Sequence, residues 1–178
     1  MAFDIIKEIS RDQVVVLLIP SVTYGETTLS IPKSLKGKSV CYVTINKTAE
    51  SLIESLKRKK ISTKETFFVD AISSSIKKTP KVAGNIFYVS SPGALTELSL
   101  VIDKLLQHNF DYLIFDSLSN LLIYEKSGPV TKFVFSLVNK IRQTDTTAIF
   151  YALSTQSKDQ LIQEAGMFVD KVIEVDAK

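Results

Sequence analysis

The sequence holds a single cysteine, Cys41, and a single histidine, His108. One thiol excludes a disulfide framework and a cysteine-based zinc cluster. One imidazole removes most histidine-based catalysis and metal chemistry. Arginine is scarce as well: Arg11, Arg58 and Arg142 stand among 22 basic residues, against 19 acidic ones, for a net charge of +3. A strongly basic nucleic-acid binder would carry a larger excess and more arginine. No stretch approaches the ~18 apolar residues of a transmembrane helix, so no membrane insertion is expected. The stretch MAFDIIKEISRD carries acids early and lacks a cleavage-site pattern, which argues against a signal peptide. A reducing, cytoplasmic compartment is the expectation.

What is present is the material of a core. Hydrophobic residues make up 45% of 178 residues and charged residues 23%. That apolar content offsets the ordering entropy and excludes disorder as the main state. The length predicts one domain over residues 1–178.

Gln13–Ile19 (QVVVLLI) is a continuous β-branched and apolar run, the pattern of a strand buried on both faces. Ser39–Ile45, Thr66–Val69, Asn85–Val89, Tyr112–Phe115, Thr147–Leu153 and Val169–Val175 are further strand candidates. Thr48–Lys60, Thr96–Gln107, Val130–Arg142 and Lys158–Ala165 carry apolar residues at helical spacing. Strands alternate with helices, which predicts an α/β fold with a mostly parallel sheet and right-handed crossovers. The polar stretch Ser73–Lys81 reads as a surface loop. Ligands in such sheets bind beyond the carboxyl ends of the strands. Those ends are Pro20–Gly25, Asn46, Asp70, Ser90–Gly93, Asp116–Asn120 and Leu153–Gln156.

A phosphate-binding P-loop needs Gly-x-x-x-x-Gly-Lys-Ser/Thr directly after a buried strand. Glycines let backbone N–H groups close around phosphate, the lysine neutralises it, and the hydroxyl holds Mg²⁺. The residues in that place are Pro20-Ser21-Val22-Thr23-Tyr24-Gly25-Glu26-Thr27, followed by Thr28. Gly25 and the hydroxyl of Thr27 are present; Pro20 replaces the first glycine and Glu26 the lysine. The plainer reading is an ordinary strand-to-helix turn, with Thr27 or Thr28 near a helix start. Farther along, Asp111–Asp116 (DYLIFD) is an apolar strand ending in an acid, as in a Walker B strand that holds the Mg²⁺ shell. Its plainer reading is a helix N-cap at Asp116 or Ser117.

With these segments in view, the chain resembles the RecA-like ATPases, and among them the archaeal KaiC-like proteins. The resemblance rests on VVVLLIPSVTYGETT, CYVTINKTAESL, FDYLIFDSLSNLL and TTAIFYALSTQS, and spans nearly the whole chain. It implies a three-layer sandwich with a central parallel sheet, ATP in the first loop, and assembly through subunit edges. The sequence departs from that family at Pro20, at Glu26, and at Asn46-Lys47, where KaiC-like proteins carry a water-activating glutamate. Pro32 is also expected to interrupt the following helix within two turns.

A unit-charge pair at ~4 Å is worth about 4 kcal/mol at an effective dielectric of about 20. Exchanging lysine for glutamate removes one such attraction and adds a repulsion. A micromolar ATP site corresponds to roughly −8 kcal/mol, so the exchange pushes affinity to millimolar or weaker. Pro20 also lacks an N–H donor. The expectation is a catalytically degenerate domain with no catalytic residues and no tightly bound cofactor. It would act as a protein-interaction or regulatory module, pairing with itself or with a RecA/KaiC-like paralogue. An alternative is a residual ATP/ADP sensor using Gly25, Glu26, Thr27, Thr28 and Asp116. In that case Mg²⁺ would sit between Thr27 and Asp116, and Lys47 would supply the missing charge. A further alternative, nucleic-acid binding, would use Lys57–Lys60 and Lys77–Lys81, although the first cluster also reads as a solvated helix end. His108 reads as a helix-end surface residue and Cys41 as an inert core thiol.

Overall fold

A computed structural model describes residues 4–156 and 158–176. Ser157, at the close of the last segment carrying the resemblance, lies outside the described residues, as do residues 1–3 and 177–178. A short helix, α1 (Ile5–Glu8), is capped by the Asp4 side chain, which accepts from the Lys7 N–H. Strand β1 (Val14–Ile19) follows, with all six residues buried. That is the burial its unbroken apolar run requires. Helix α2 (Tyr24–Ser34), strand β2 (Val40–Thr44), helix α3 (Ala49–Arg58) and strand β3 (Thr66–Asp70) come next. Helix α4 (Ser73–Ile76) and a small antiparallel pair, β4 (Val82–Ala83) and β5 (Ile86–Tyr88), lead to helix α5 (Leu95–Leu106). Strand β6 (Tyr112–Asp116), helices α6 (Leu118–Tyr124) and α7 (Ser127–Ile141), strand β7 (Thr147–Leu153), helix α8 (Gln160–Ala165) and strand β8 (Lys171–Glu174) complete the order.

The eight strands form one sheet in the order β4-β5-β3-β2-β6-β7-β1-β8, parallel except for β4 against β5. Successive strand residues point to opposite faces, and each face is covered. One holds Val15, Leu17, Ile19, Tyr42 and Ile114 against Ile31 of α2, Leu35 just past its end, and Leu52 and Leu56 of α3. The other holds Val16, Cys41, Val43, Phe115 and Phe150 against α5, α6, α7 and α8. This is the predicted α/β architecture of three layers.

Two expectations change. Pro32 lies inside α2, and the helix runs on to Ser34 with Leu35 as its C-cap. A proline in the last turn forfeits one N–H bond just before the helix ends anyway. Ser73–Lys81 is not a plain surface loop: it begins with α4, and Ser73 is buried because its N–H and hydroxyl both donate to the carboxylate of Asp70. The register of β2 with β6 places Thr44 opposite Asp116. This pairing sets the geometry of the site.

Candidate functional site

The turn after β1 closes on itself. The Thr23 N–H donates to the Pro20 carbonyl at 3.1 Å and the Tyr24 N–H to the Ser21 carbonyl at 3.4 Å. These donors are spent inside the turn, whereas a phosphate cradle needs them turned inward and free. Helix α2 starts at Tyr24, with Thr23 as an N-cap that makes no side-chain capping bond. Gly25, Glu26, Thr27 and Thr28 therefore form the helix's first turns. Glu26 is exposed to solvent. The Thr28 hydroxyl is buried and turns back to the Gly25 carbonyl at 3.3 Å. No hydrogen bond joins Thr27 to Asp116 among the described residues.

Asp116 ends β6 and is only 1% exposed. Its carboxylate is enclosed by donors from three different elements. The Tyr24 hydroxyl, from the start of α2, donates to Oδ1 at 2.5 Å. The Tyr42 hydroxyl, from the middle of β2, donates to Oδ2 at 2.8 Å. The Asn46 amide, from the turn between β2 and α3, donates to Oδ1 at 2.8 Å. Burial pushes the pKa of Asp116 up, against the opposing pull of these hydrogen bonds and of the positive Lys47. The same burial, and then the negative charge of Asp116, push the phenols of Tyr24 and Tyr42 well up. Both stay protonated donors throughout the physiological range. The peptide bond from Asp116 to Ser117 is cis. Ser117 then caps α6, its hydroxyl accepting from the Asn120 N–H at 3.3 Å. The cap falls on Ser117, leaving Asp116 to the cluster.

Tyr151 of β7 is wholly buried on the same sheet face, and its hydroxyl has no partner among the described residues. Burial and the charge of Asp116 push its pKa up as well. Lys47 is part-buried, and its main chain is tied to the Thr44 hydroxyl, which donates to the Lys47 carbonyl at 2.7 Å.

Of the sequence-predicted site residues, Asp116 alone lies in this cluster; Gly25, Glu26, Thr27 and Thr28 lie on α2, and none of them is hydrogen-bonded to Asp116 among the described residues. The residues that seal Asp116 were not singled out beforehand as its partners. A signal for Tyr42 exists: a tyrosine inside a buried strand needs a hydroxyl partner, and an acid closing another buried strand is a natural acceptor. Cys41 is buried, which drives its thiol pKa up to about 12 and keeps it inert. His108 is exposed just past α5. Lys57 and Arg58 close α3, and Arg58 pairs with Glu54 across one turn, so this cluster is a helix end. No group of His, Cys, Asp and Glu residues able to hold a metal ion occurs among the described residues. No described helix is long and apolar enough to cross a membrane.

The model of a family of unknown function, DUF7504, matches residues 36–175. No curated protein matches the chain in sequence. Among solved structures, a KaiC-like protein from the hyperthermophilic archaeon Pyrococcus horikoshii OT3 is similar at a TM-score of 0.58. It is 14% identical, and the similarity covers 93% of this chain and 73% of that one. The likeness shows a RecA-like fold.

Proposed function

We propose that this chain, which belongs to the DUF7504 family, is a RecA-like domain that neither hydrolyses nor tightly binds ATP and serves as a protein-interaction or regulatory module. The observation that carries this reading is the sealed carboxylate of Asp116, which takes its donors from Tyr24, Tyr42 and Asn46. A Mg²⁺ shell would need those oxygen positions. To reach them it would have to displace two tyrosine hydroxyls and an amide from a site that is 1% exposed. The other features point the same way. Turn N–H groups are consumed internally, a glutamate stands where phosphate needs a lysine, and Asn46 uses its amide to hold Asp116 rather than to activate water.

The interaction role is supported by what the rim presents to solvent. Val22, at the tip of the β1–α2 turn, is 84% exposed. Ile123 is 73% exposed at the end of α6, next to Tyr124, which packs near Gly93 beyond β5. Apolar side chains at the end of the sheet where relatives of this fold carry nucleotide suit contact with a second copy or a paralogue.

The test is the melting temperature with and without ~5 mM Mg-ATP or Mg-ADP at fixed salt, with sedimentation analysis of the free chain alongside. A ligand at 100 times its Kd stabilises by about 2.7 kcal/mol, several degrees for a domain of this size. No shift is expected. A shift of that size with either nucleotide would replace this reading with a nucleotide sensor. Self-association would identify the partner as a second copy. A clean monomer would direct the search to a paralogue.

A further inference from the structure

A second concavity lies at the opposite end of the sheet from Asp116. It is a cavity of about 300 Å³, bounded by the end of α2, the start of β2, the end of α3 and the start of β3. This is the lower end of the range for small-molecule sites, roughly 300–1,000 Å³. Its floor is apolar, built from Leu35, Val40, Leu56, Ile61 and the ring of Tyr42. Its rim is basic: Lys33, Lys36, Lys38 and Lys60, with Glu65 as the acid of the lining.

The lysines are not all accounted for by the fold. Lys33 lies in the last turn of α2, where a cation suits the helix dipole, and Lys57 and Arg58 do the same for α3. Lys38 reaches Asp111 at 3.9 Å. Lys36 and Lys60 lie beyond the helix ends, exposed, and pair with no carboxylate among the described residues. An enclosed apolar floor under an unbalanced positive rim selects for one ligand chemistry, an apolar body ending in a negative charge.

We propose that this cavity binds a small organic carboxylate whose acyl or aromatic body rests on Leu35, Val40, Leu56 and Tyr42 and whose carboxylate faces Lys36 and Lys60. The site is separate from the Asp116 cluster but joined to it by one side chain. The ring of Tyr42 lines the cavity while its hydroxyl donates to Asp116. A ligand pressing on that ring therefore bears on the Tyr42–Asp116 bond.

The experiment is a titration of the isotope-labelled full chain with octanoate, followed by amide NMR, and in parallel with octylammonium, which has the same body and the opposite charge. Saturable shifts with octanoate at residues 32–42 and 56–66, extending to Ser117, are expected, with weaker or no binding of octylammonium. K36E/K60E should weaken octanoate binding by at least about tenfold while leaving the melting temperature close to that of the native chain, because both lysines are exposed. If that variant does not fold, K36Q/K60Q carries the same test. The proposal is overturned if octanoate gives no saturable shift. Equal binding of the two probes, or octanoate affinity unchanged in a folded lysine variant, overturns it too.

Discussion

Asp70 and Asp116 end β3 and β6 at the same edge of the sheet, with β2 between them, and both are buried. Asp70 is held mainly by main-chain N–H groups. It accepts from the N–H groups of Ala49, Ile72 and Ser73 and from the Ser73 hydroxyl, and so fastens the starts of α3 and α4 to the strand. Asp116 is held by side chains alone, brought from α2, β2 and the turn after β2. Main-chain donors cannot be withdrawn without breaking the local fold. Side-chain donors can be replaced one at a time by substitution. The first arrangement is architecture. The second is a buried carboxylate enclosed by side chains drawn from three separate elements.

The contrast is sharpest at Asp70→Ala, which leaves two buried N–H groups, of Ala49 and Ser73, and the part-buried N–H of Ile72 without an acceptor. An unpartnered buried donor costs about 1–3 kcal/mol. The variant should lose about 3–5 kcal/mol in urea unfolding, the largest effect in the set. If the loss were below ~1 kcal/mol, water would be reaching these donors and the comparison would fail.

Asp116→Asn should cost less, and its cost should depend on pH. Burial holds the folded pKa of Asp116 above the ordinary carboxylate value. Below that ordinary value both states are protonated, and Asp116 contributes no slope. As pH rises, the unfolded chain ionises first, so the native state loses stability across the interval between the two values. Asp111, Asp170 and Glu164 have lowered values and slope the other way. Those groups are common to both chains, so the native-minus-variant difference isolates Asp116. That difference should fall with rising pH. A difference that is flat or rises with pH would mean the carboxylate is not desolvated as described.

The tyrosines give the finest resolution. Tyr42→Phe removes a bond to a buried carboxylate and should cost about 1.5–3 kcal/mol. Tyr24→Phe, at the part-buried start of α2, should cost about 1 kcal/mol. Tyr151→Phe removes a buried hydroxyl with no partner among the described residues and should lie within ~0.5 kcal/mol of native, or be slightly stabilising. Equal costs for Tyr42→Phe and Tyr151→Phe would show that the Asp116 bond is not what holds the cluster.

The strands were largely legible because a strand buried on both faces must be apolar throughout. VVVLLI and TAIFYAL have that pattern, and both are strands. Alternation with amphipathic helices fixed the parallel sheet. Short elements were not legible. Neither α1 nor α4 is long enough to show a helical period, and α4 depends on a carboxylate at the end of a strand. The acid of the site was found because an apolar strand closing on an acid matches the Walker B pattern. Its partners were missed because they depend on register. Only the pairing of Thr44 with Asp116 brings Tyr42 and Asn46 to the same carboxylate. Pro20 and Glu26 could be read as departures from the P-loop pattern directly from the sequence; nothing in the residues around Asp116 announced which side chains would enclose it.

The most direct measurement is titration of the labelled native chain with Mn²⁺-ATP, with broadening of the amide NMR signals read at Tyr24, Asn46 and Ser117. The account predicts no selective broadening at these residues up to ~1 mM Mn²⁺-ATP, because the carboxylate of Asp116 is already taken. Selective, saturable broadening around Asp116 would show a metal–nucleotide site there and would contradict the account.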